Sequence, residues 1–165
     1  MKEKQIVTPF RSDDHQHSTC LASILTAAEQ FCRQRGLKLT PLRYRVLELV
    51  WKTHEPVKAY DILQILQSEK KGAAPPTVYR ALDFLIEEGL VHKIDSMNAY
   101  VGCMHPDTHS DCFFMICLEC GTAEECCNDD LAASIMKATR QYRFTPRTTT
   151  LEITGTCMQC RGDGG

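Results

Sequence analysis

The chain holds 165 residues, of which 43% are hydrophobic and ten are cysteine, and its formal net charge is −2. This length suits one ordinary domain or two small ones, and the apolar content is enough to form a core. The sequence shows no apolar run of about 18 residues and no N-terminal export signal. We therefore expect a protein that is neither membrane-spanning nor secreted and that lies in the reducing cytoplasm.

The charge is distributed unevenly along the chain. Residues 1–95 carry 14 Lys and Arg against 12 Asp and Glu, whereas residues 96–165 carry 5 against 9. Residues 33–58 alone hold seven basic and two acidic side chains. A basic run by itself is most often a solvated helix face. A basic first half beside an acidic, cysteine-rich second half indicates two domains with different roles.

The first half is predicted to form four helices and a β-hairpin. Residues 1–18 are polar and aperiodic, which predicts a flexible arm. Helical spacing of apolar residues then recurs in CLASILTAAEQFCRQRG, LTPLRYRVLELVWKTHEP, KAYDILQILQSEKKG and APPTVYRALDFLIEEG. Thr40 is placed to cap the second helix, with Pro41 as its first residue. LVHKID and AYVGC read as two strands around the turn SMN, so residues 19–102 are predicted to be a winged helix-turn-helix domain.

The fourth helix is the one expected to enter the major groove of DNA, because it directly precedes the hairpin. Its first turns place polar side chains away from the apolar face. An arginine there can bond guanine, and hydroxyl groups can bond phosphate. The predicted DNA contacts are Thr77, Tyr79 and Arg80 from this helix, and Arg43 and Arg45 from the basic segment. The alternative for Tyr79 and Arg80 is solvation, or an ion pair between Arg80 and Asp83.

The second half predicts a small α/β domain over residues 113–165, joined to the first by a hinge at 103–112. FFMIC, TAEEC and TTTLEITGTC read as strands, and DDLAASIMKATRQYRF reads as a helix before the last strand. A free sheet edge in so small a domain favours pairing with a second copy, so we expect a homodimer. The predicted fold class is α+β.

Two C-x-x-C pairs flank this second domain. They are Cys117 with Cys120 and Cys157 with Cys160, separated by 36 residues. Such pairs can form disulfides, run a redox cycle or bind zinc. A reducing compartment disfavours disulfides, and a redox motif needs only one pair, so we predict a closed four-cysteine zinc site. Of the other cysteines, we expect buried or idle thiols at Cys112, Cys126 and Cys127, and core positions at Cys20 and Cys32.

Several of these segments together resemble the ferric uptake regulator family. They are LTPLRYRVLELV, AYDILQIL, PPTVYRALDFLIEEGLVHK, MICLECG and CMQC, and the resemblance covers about residues 20–160. PPTVYRALDFL with VHK and YVGC is especially similar to its zinc-responsive branch, the zinc uptake regulators. The resemblance implies a homodimeric repressor of zinc uptake genes, not an enzyme, that binds inverted-repeat operator DNA when zinc is plentiful.

The resemblance also implies a second, regulatory zinc site between the two domains, and hence two zinc ions per chain. Its ligands would be His92, Cys103, His109 and Glu125. A thiolate in such a set biases it against hard ions, and the His-rich run typical of iron-sensing relatives is absent. The loop around His109 departs in length from the branch, so His105 or Cys112 stands as an alternative ligand.

Two other classes of function remain open on the sequence. One is a regulator of the same family that senses another metal or peroxide, or a redox sensor using the C-x-x-C pairs. The other is a zinc-dependent hydrolase or deaminase, with Glu125 as general base beside His92, Cys103 and His109. The absence of H-x-E, P-C-x-x-C and H-E-x-x-H signatures argues against this second class.

Overall fold

The computed structural model describes residues 17–52, 55–69, 73–104, 106 and 112–162, and side chains from residue 21 onward. The chain divides into two compact units, the first of which ends at Pro106. The first unit contains α1 (His17–Gln34), α2 (Pro41–Trp51), α3 (Ala59–Glu69), α4 (Pro75–Glu87), β1 (Val91–Ile94) and β2 (Ala99–Gly102). The second contains β3 (Cys112–Cys117), β4 (Ala123–Cys127), α5 (Asp129–Gln141), β5 (Glu152–Gly155) and α6 (Met158–Arg161).

The ends of the helices follow local chemistry that the sequence shows. Thr40 caps α2, where its side-chain oxygen accepts from the backbone N–H of Arg43 at 3.4 Å, and Pro41 opens the helix. Gly36 and Gly89 follow α1 and α4 with φ of 68° and 71°, a conformation that costs glycine little. The predicted cap at Thr40 and the predicted first residue Pro41 are confirmed. The first helix starts at His17, inside the predicted arm, and residues 1–16 of that arm lie outside the described residues.

The core of the first unit lies where the apolar faces of the four helices meet β1 and β2. Val46 and Val50 from α2, Ile62 from α3, and Leu82 and Leu85 from α4 are fully buried. The predicted core position of Cys32 is confirmed, since its side chain is 1% exposed. The side chain of Cys20 lies outside the described residues. Burial of these apolar faces fixes which sides of α4 remain exposed.

A small antiparallel sheet completes the first unit. Strand β1 pairs with β2, so that Val91 faces Gly102 and Ile94 faces Ala99. Val57 adds a bridge on the other side of β2, with mutual hydrogen bonds to Tyr100 of 2.9 and 2.8 Å. Three helices of a helix-turn-helix core followed by this hairpin make the winged-helix arrangement that the sequence predicts.

The second unit is a three-stranded sheet in the order β4-β3-β5, with α5 connecting β4 to β5. Strand β3 is central; it runs antiparallel to β4 and parallel to β5. Asn128 caps α5 by accepting from the N–H of Leu131 at 2.9 Å. The helix ends earlier than predicted, and Arg143 follows it with φ of 54°. The last strand is shorter than predicted, and α6 was not predicted because four residues show no periodicity.

No helix in the described part of the chain combines the length and the apolar character needed to cross a membrane.

The contact between Trp51 and Gly102 gives the first prediction. The Trp51 side chain is 4% exposed, and a Cβ atom added at Gly102 would overlap its indole ring. Because the surrounding core cannot move away freely, we expect Gly102→Ala to lower the free energy of unfolding by about 1–3 kcal/mol. Urea denaturation followed by tryptophan fluorescence measures this change.

Gly155→Ala is the matched control for this substitution, since a Cβ there meets no atom within 4 Å. It should leave the denaturation midpoint nearly unchanged. Equal effects of the two substitutions would show that the close approach of Trp51 to Gly102 does not constrain the fold.

Candidate metal centre and nucleic-acid face

The two C-x-x-C pairs come together at one end of the sheet in the second unit. The sulfur atoms of Cys117, Cys120, Cys157 and Cys160 all lie within 4.8 Å of one another. Cys117 ends β3 opposite Gly155 of β5, and Cys157 follows two residues later. The backbone N–H of Cys157 donates to the sulfur of Cys117 at 3.3 Å. The parallel pairing of β3 with β5 therefore joins two cysteine pairs that are distant in sequence.

The cluster has the dimensions of a tetrahedral zinc site. Four sulfurs at about 2.3 Å from a zinc ion lie roughly 3.8 Å from each other. The sulfurs of Cys120 and Cys157 are 3.9 Å apart. An all-thiolate donor set suits zinc and disfavours hard ions. The four residues thus fit a structural zinc ion, which would tie the end of β3 to the segment after β5.

Local hydrogen bonds prepare this cluster for a cation. Backbone N–H groups, first that of Cys120 and then that of Cys157, lower the pKa of Cys117 to about 6. The Thr122 hydroxyl lowers the pKa of Cys120. The pKa of Cys160 is raised to about 12, because its thiol donates to the other sulfurs, first Cys157. These hydrogen bonds therefore favour the thiolate forms of Cys117 and Cys120, which are the forms that bind a metal ion.

Two of the predicted regulatory ligands meet in the first unit. His92 lies in β1 opposite Val101, and Cys103 directly follows β2, where its N–H donates to the carbonyl of Leu90 at 3.0 Å. The nitrogen of His92 and the sulfur of Cys103 lie within 4.8 Å of each other. Cys103 is 4% exposed and His92 is half-buried. This pair supplies one nitrogen and one sulfur donor at the edge of the hairpin.

Of the other predicted regulatory ligands, the structure describes only Glu125. Glu125 is half-buried in β4 of the second unit. His109 and its alternative His105 lie outside the described residues. The four-residue regulatory set therefore stays a prediction.

The expectation that Cys112 and Cys127 are idle thiols is wrong. Cys112 and Cys127 face each other across β3 and β4 and form a disulfide, with their Cα atoms 4.0 Å apart. This pair could not be predicted from the sequence, because the register of two strands decides which residues face each other. Cys112 in this state has no thiolate to offer a metal ion. Cys126 remains a half-buried free thiol, as expected.

The predicted DNA-reading side chains lie on the outer face of α4. Thr77, Tyr79 and Arg80 are exposed, while the intervening Val78 is 1% exposed and packs in the core. Within the described part of the chain, no carboxylate forms an ion pair with Arg80, so the alternative pair with Asp83 is not formed. The guanidinium of Arg80 is thus available to an external partner.

Arg43 has an intramolecular role. It stacks on the ring of Phe84 at 3.5 Å and donates to the carbonyl of Lys38 at 2.7 Å, which fastens α2 to α4. The sequence did not reveal this contact. A phosphate contact by Arg43 stays a prediction.

Arg45 connects two helices. It bonds Glu48 in α2 and Glu69 in α3, with an Nε–Oε2 distance of 3.1 Å to Glu69. Hydrogen bonds, first to Glu69 and then to Glu48, raise its pKa above the ordinary value. A phosphate contact by Arg45 also stays a prediction, and it must compete with these two carboxylates.

Comparison with known proteins places the chain in a family. The sequence model of the Ferric uptake regulator family matches residues 34–154. The chain belongs to the ferric uptake regulator family. This membership, together with the relatives below, makes it a transcription regulator rather than an enzyme.

One curated protein and two solved structures illustrate what the chain is similar to. The Zinc uptake regulation protein of Escherichia coli (strain K12) is 40% identical over 144 residues, which cover 86% of this chain and 84% of that protein. The crystal structure of holo XcZur is 41% identical with a TM-score of 0.79, covering 85% of this chain and 98% of the other. The structure of a zinc uptake regulator complexed with zinc and DNA is 36% identical with a TM-score of 0.80. The match covers 91% of this chain and 98% of the other.

The four-cysteine cluster gives the second prediction. Cys160→Ser removes one of four thiolate ligands, so the purified variant should hold less zinc than the wild-type protein and unfold at lower urea concentration. Elemental analysis after gel filtration and urea denaturation measure the two effects.

Cys126→Ser is the matched control, since Cys126 lies in the same unit but outside the cluster. It should leave the zinc content unchanged. A Cys160→Ser protein with full zinc content and wild-type stability would contradict the four-cysteine assignment.

Proposed function

We propose that this protein is a zinc-responsive, DNA-binding transcriptional repressor of zinc uptake genes. The observation that carries the proposal is the combination, in one winged-helix unit, of an exposed reading face on α4 and the His92–Cys103 donor pair beside its hairpin. The names of the similar proteins agree with it: one is a zinc uptake regulation protein, and another was solved with zinc and DNA.

Two zinc ions per chain have different tasks in this proposal. Four thiolates hold the first ion tightly, so the site stays filled and cannot report the zinc supply. A second, weaker site is needed for sensing. His92 and Cys103 supply its nitrogen and its soft sulfur, and His109 and Glu125 are the further ligands that the family resemblance implies. This mixed donor set suits four-coordinate zinc better than manganese or ferrous iron.

The regulatory ligands come from both units, and this explains how metal can control DNA binding. His92 and Cys103 belong to the winged-helix unit, whereas Glu125 belongs to the sheet unit. Binding one ion with both sets favours a single relative orientation of the two. Shifting such an equilibrium from 1:99 to 99:1 requires roughly 5.5 kcal/mol of differential affinity. Structural zinc in small peptides contributes about 10–16 kcal/mol, so a partial set of ligands is sufficient.

A homodimer completes the proposal. The second unit leaves large apolar side chains exposed, with Tyr142 at 84%, Phe144 at 62% and Ile153 at 47% exposure. Ile153 lies in β5, an edge strand of the sheet. Burying this surface against a second copy would remove both the apolar area and the open edge. Two α4 helices in such a dimer could meet half-sites about 34–36 Å apart in an inverted repeat.

The reading face gives the third prediction. Arg80→Ala should weaken binding to a zinc uptake operator by about 1–3 kcal/mol and reduce the preference for operator over scrambled DNA, because a base contact is lost. Fluorescence anisotropy with both DNAs, at one salt concentration and saturating zinc, measures this.

Arg140→Ala, which removes an exposed arginine from α5 in the second unit, is the control and should bind as wild type does. If Arg80→Ala retained full affinity and preference, α4 would not read the bases.

The donor pair gives the fourth prediction. Cys103→Ser removes the thiolate of the proposed regulatory site and leaves the four-cysteine cluster intact. The variant should remain folded and keep one tightly held zinc ion per chain, but its DNA binding should no longer depend on added zinc. Zinc content and anisotropy across a buffered zinc series measure both properties, with Cys126→Ser as the control. A Cys103→Ser protein that still responds normally to zinc would exclude this mechanism.

A further inference from the structure

A second group of metal-binding side chains lies on the sheet of the second unit. Cys112, Glu125 and Cys127 form it, and we refer to them as the cross-strand cluster. Cys112 in β3 directly faces Cys127 in β4, and Glu125 lies two residues before Cys127 on the same face of the strand. One donor atom from each residue lies within 4.8 Å of the others. Strand register therefore brings two sulfurs and a carboxylate together across β3 and β4.

The cross-strand cluster is distinct from the four-cysteine cluster. Cys112 is the first residue of β3 and Cys117 is the last, so their Cα atoms are about 17 Å apart along the strand. No single ion can bridge that distance. The neighbouring Cys126 points to the other face of β4, because successive side chains of a strand alternate between its two faces. Cys126 is therefore not placed to be a ligand of this site.

We propose that the cross-strand cluster is a redox-gated site for a soft divalent cation such as zinc. When Cys112 and Cys127 are reduced, their two thiolates and the Glu125 carboxylate offer three ligands and leave a fourth position for water. Thiolates select soft cations, and three protein ligands with one open position are a common zinc arrangement. The disulfide in the structure is the oxidised form, in which both sulfurs are bonded to each other and the site cannot hold the ion.

Oxidation by a hydroperoxide closes this site with a balanced reaction. The two thiols of Cys112 and Cys127 give up two protons and two electrons and form one S–S bond. The O–O bond of the hydroperoxide accepts them and breaks, which yields an alcohol and water. Cys112 is half-buried and Cys127 is exposed, so an oxidant and a reducing thiol can both reach the pair. A thiol reductant returns the pair to its metal-binding form.

The site has a regulatory consequence that rests on the proposed function. Glu125 is also a ligand of the proposed regulatory set, and one carboxylate cannot serve both sites fully. In the reduced protein, an ion in the cross-strand cluster competes for Glu125. In the oxidised protein, Glu125 is left to His92 and Cys103. Oxidation should therefore lower the zinc concentration needed for DNA binding.

Cobalt titration of a Cys103→Ser protein tests the site separately from the proposed regulatory one. The four-cysteine cluster is first filled with zinc, so that it does not take up cobalt and is protected during oxidation. Reduced protein should bind one further Co²⁺ per chain and show a thiolate-to-cobalt charge-transfer band in the near ultraviolet. Protein oxidised with a stoichiometric hydroperoxide should lose this band, keep its zinc, and regain the band after reduction.

Variants identify the ligands. Cys103→Ser combined with Cys112→Ser should not show the band, whereas Cys103→Ser combined with Cys126→Ser should retain it. Glu125→Gln in the Cys103→Ser protein should weaken cobalt binding at least about tenfold, because even outer-shell changes at metal sites cost 10–100-fold. If the Cys112→Ser combination failed to fold, the reduced and oxidised forms of one Cys103→Ser sample would still provide the comparison.

The outcomes separate this site from the proposed function. A reduced Cys103→Ser protein without a thiolate band, or an unchanged band after loss of Cys112, would overturn the cross-strand site. Zinc-dependent DNA binding of a single Cys127→Ser variant, which keeps every residue considered as a regulatory ligand, reports on the proposed function instead. Its loss would count against that function without affecting the cobalt result.

Discussion

The central position of β3 determines the chemistry of the second unit. This strand pairs with β4 on one side and with β5 on the other, and it begins and ends with a cysteine. Parallel pairing with β5 brings the segment after β5 to Cys117, which assembles the four-cysteine cluster. Antiparallel pairing with β4 brings Cys127 opposite Cys112. A shift of register by one residue would turn these side chains to the opposite face and disperse both groups.

In the first unit, contacts between side chains, and one contact of a side chain with the backbone, fix how the helices pack. Arg43 stacked on Phe84 holds α2 against α4, and Arg45 joins α2 to α3 through two carboxylates. Trp51 lies against the backbone of Gly102, the residue immediately before Cys103. The packing of α2 therefore positions both α4 and Cys103. If His92 and Cys103 bind the regulatory zinc and α4 reads DNA, as proposed, these rigid contacts would pass the effect of metal binding from the ligands to the helix.

Features encoded by neighbouring residues could be predicted from the sequence. Thr40 with Pro41 marks the start of α2, and Gly36 and Gly89 follow the ends of α1 and α4. Each C-x-x-C pair predicts two thiolate ligands for a metal ion. Features set by long-range register or by competition between side chains could not. The pairing of Cys112 with Cys127 depends on how two strands align. The ion pair of Arg45 with Glu69 depends on how α2 packs against α3, because the two residues are 24 positions apart in the sequence. Residues 105 and 109 lie outside the described part of the chain, so the third regulatory ligand rests on family resemblance alone.

The first turn of α4 has a consequence for how DNA can be held. Helix N-termini commonly bind phosphate through free backbone N–H groups. Here Pro75 and Pro76 occupy the first two positions and lack that hydrogen, and the amides of Thr77 and Val78 donate to the carbonyl of Ala74 at 3.0 and 3.4 Å. The helix start thus presents almost no main-chain donors to a phosphodiester. Anchoring at this end must come from side chains, so amino-acid replacements there can change affinity and base preference without disturbing the backbone of the helix.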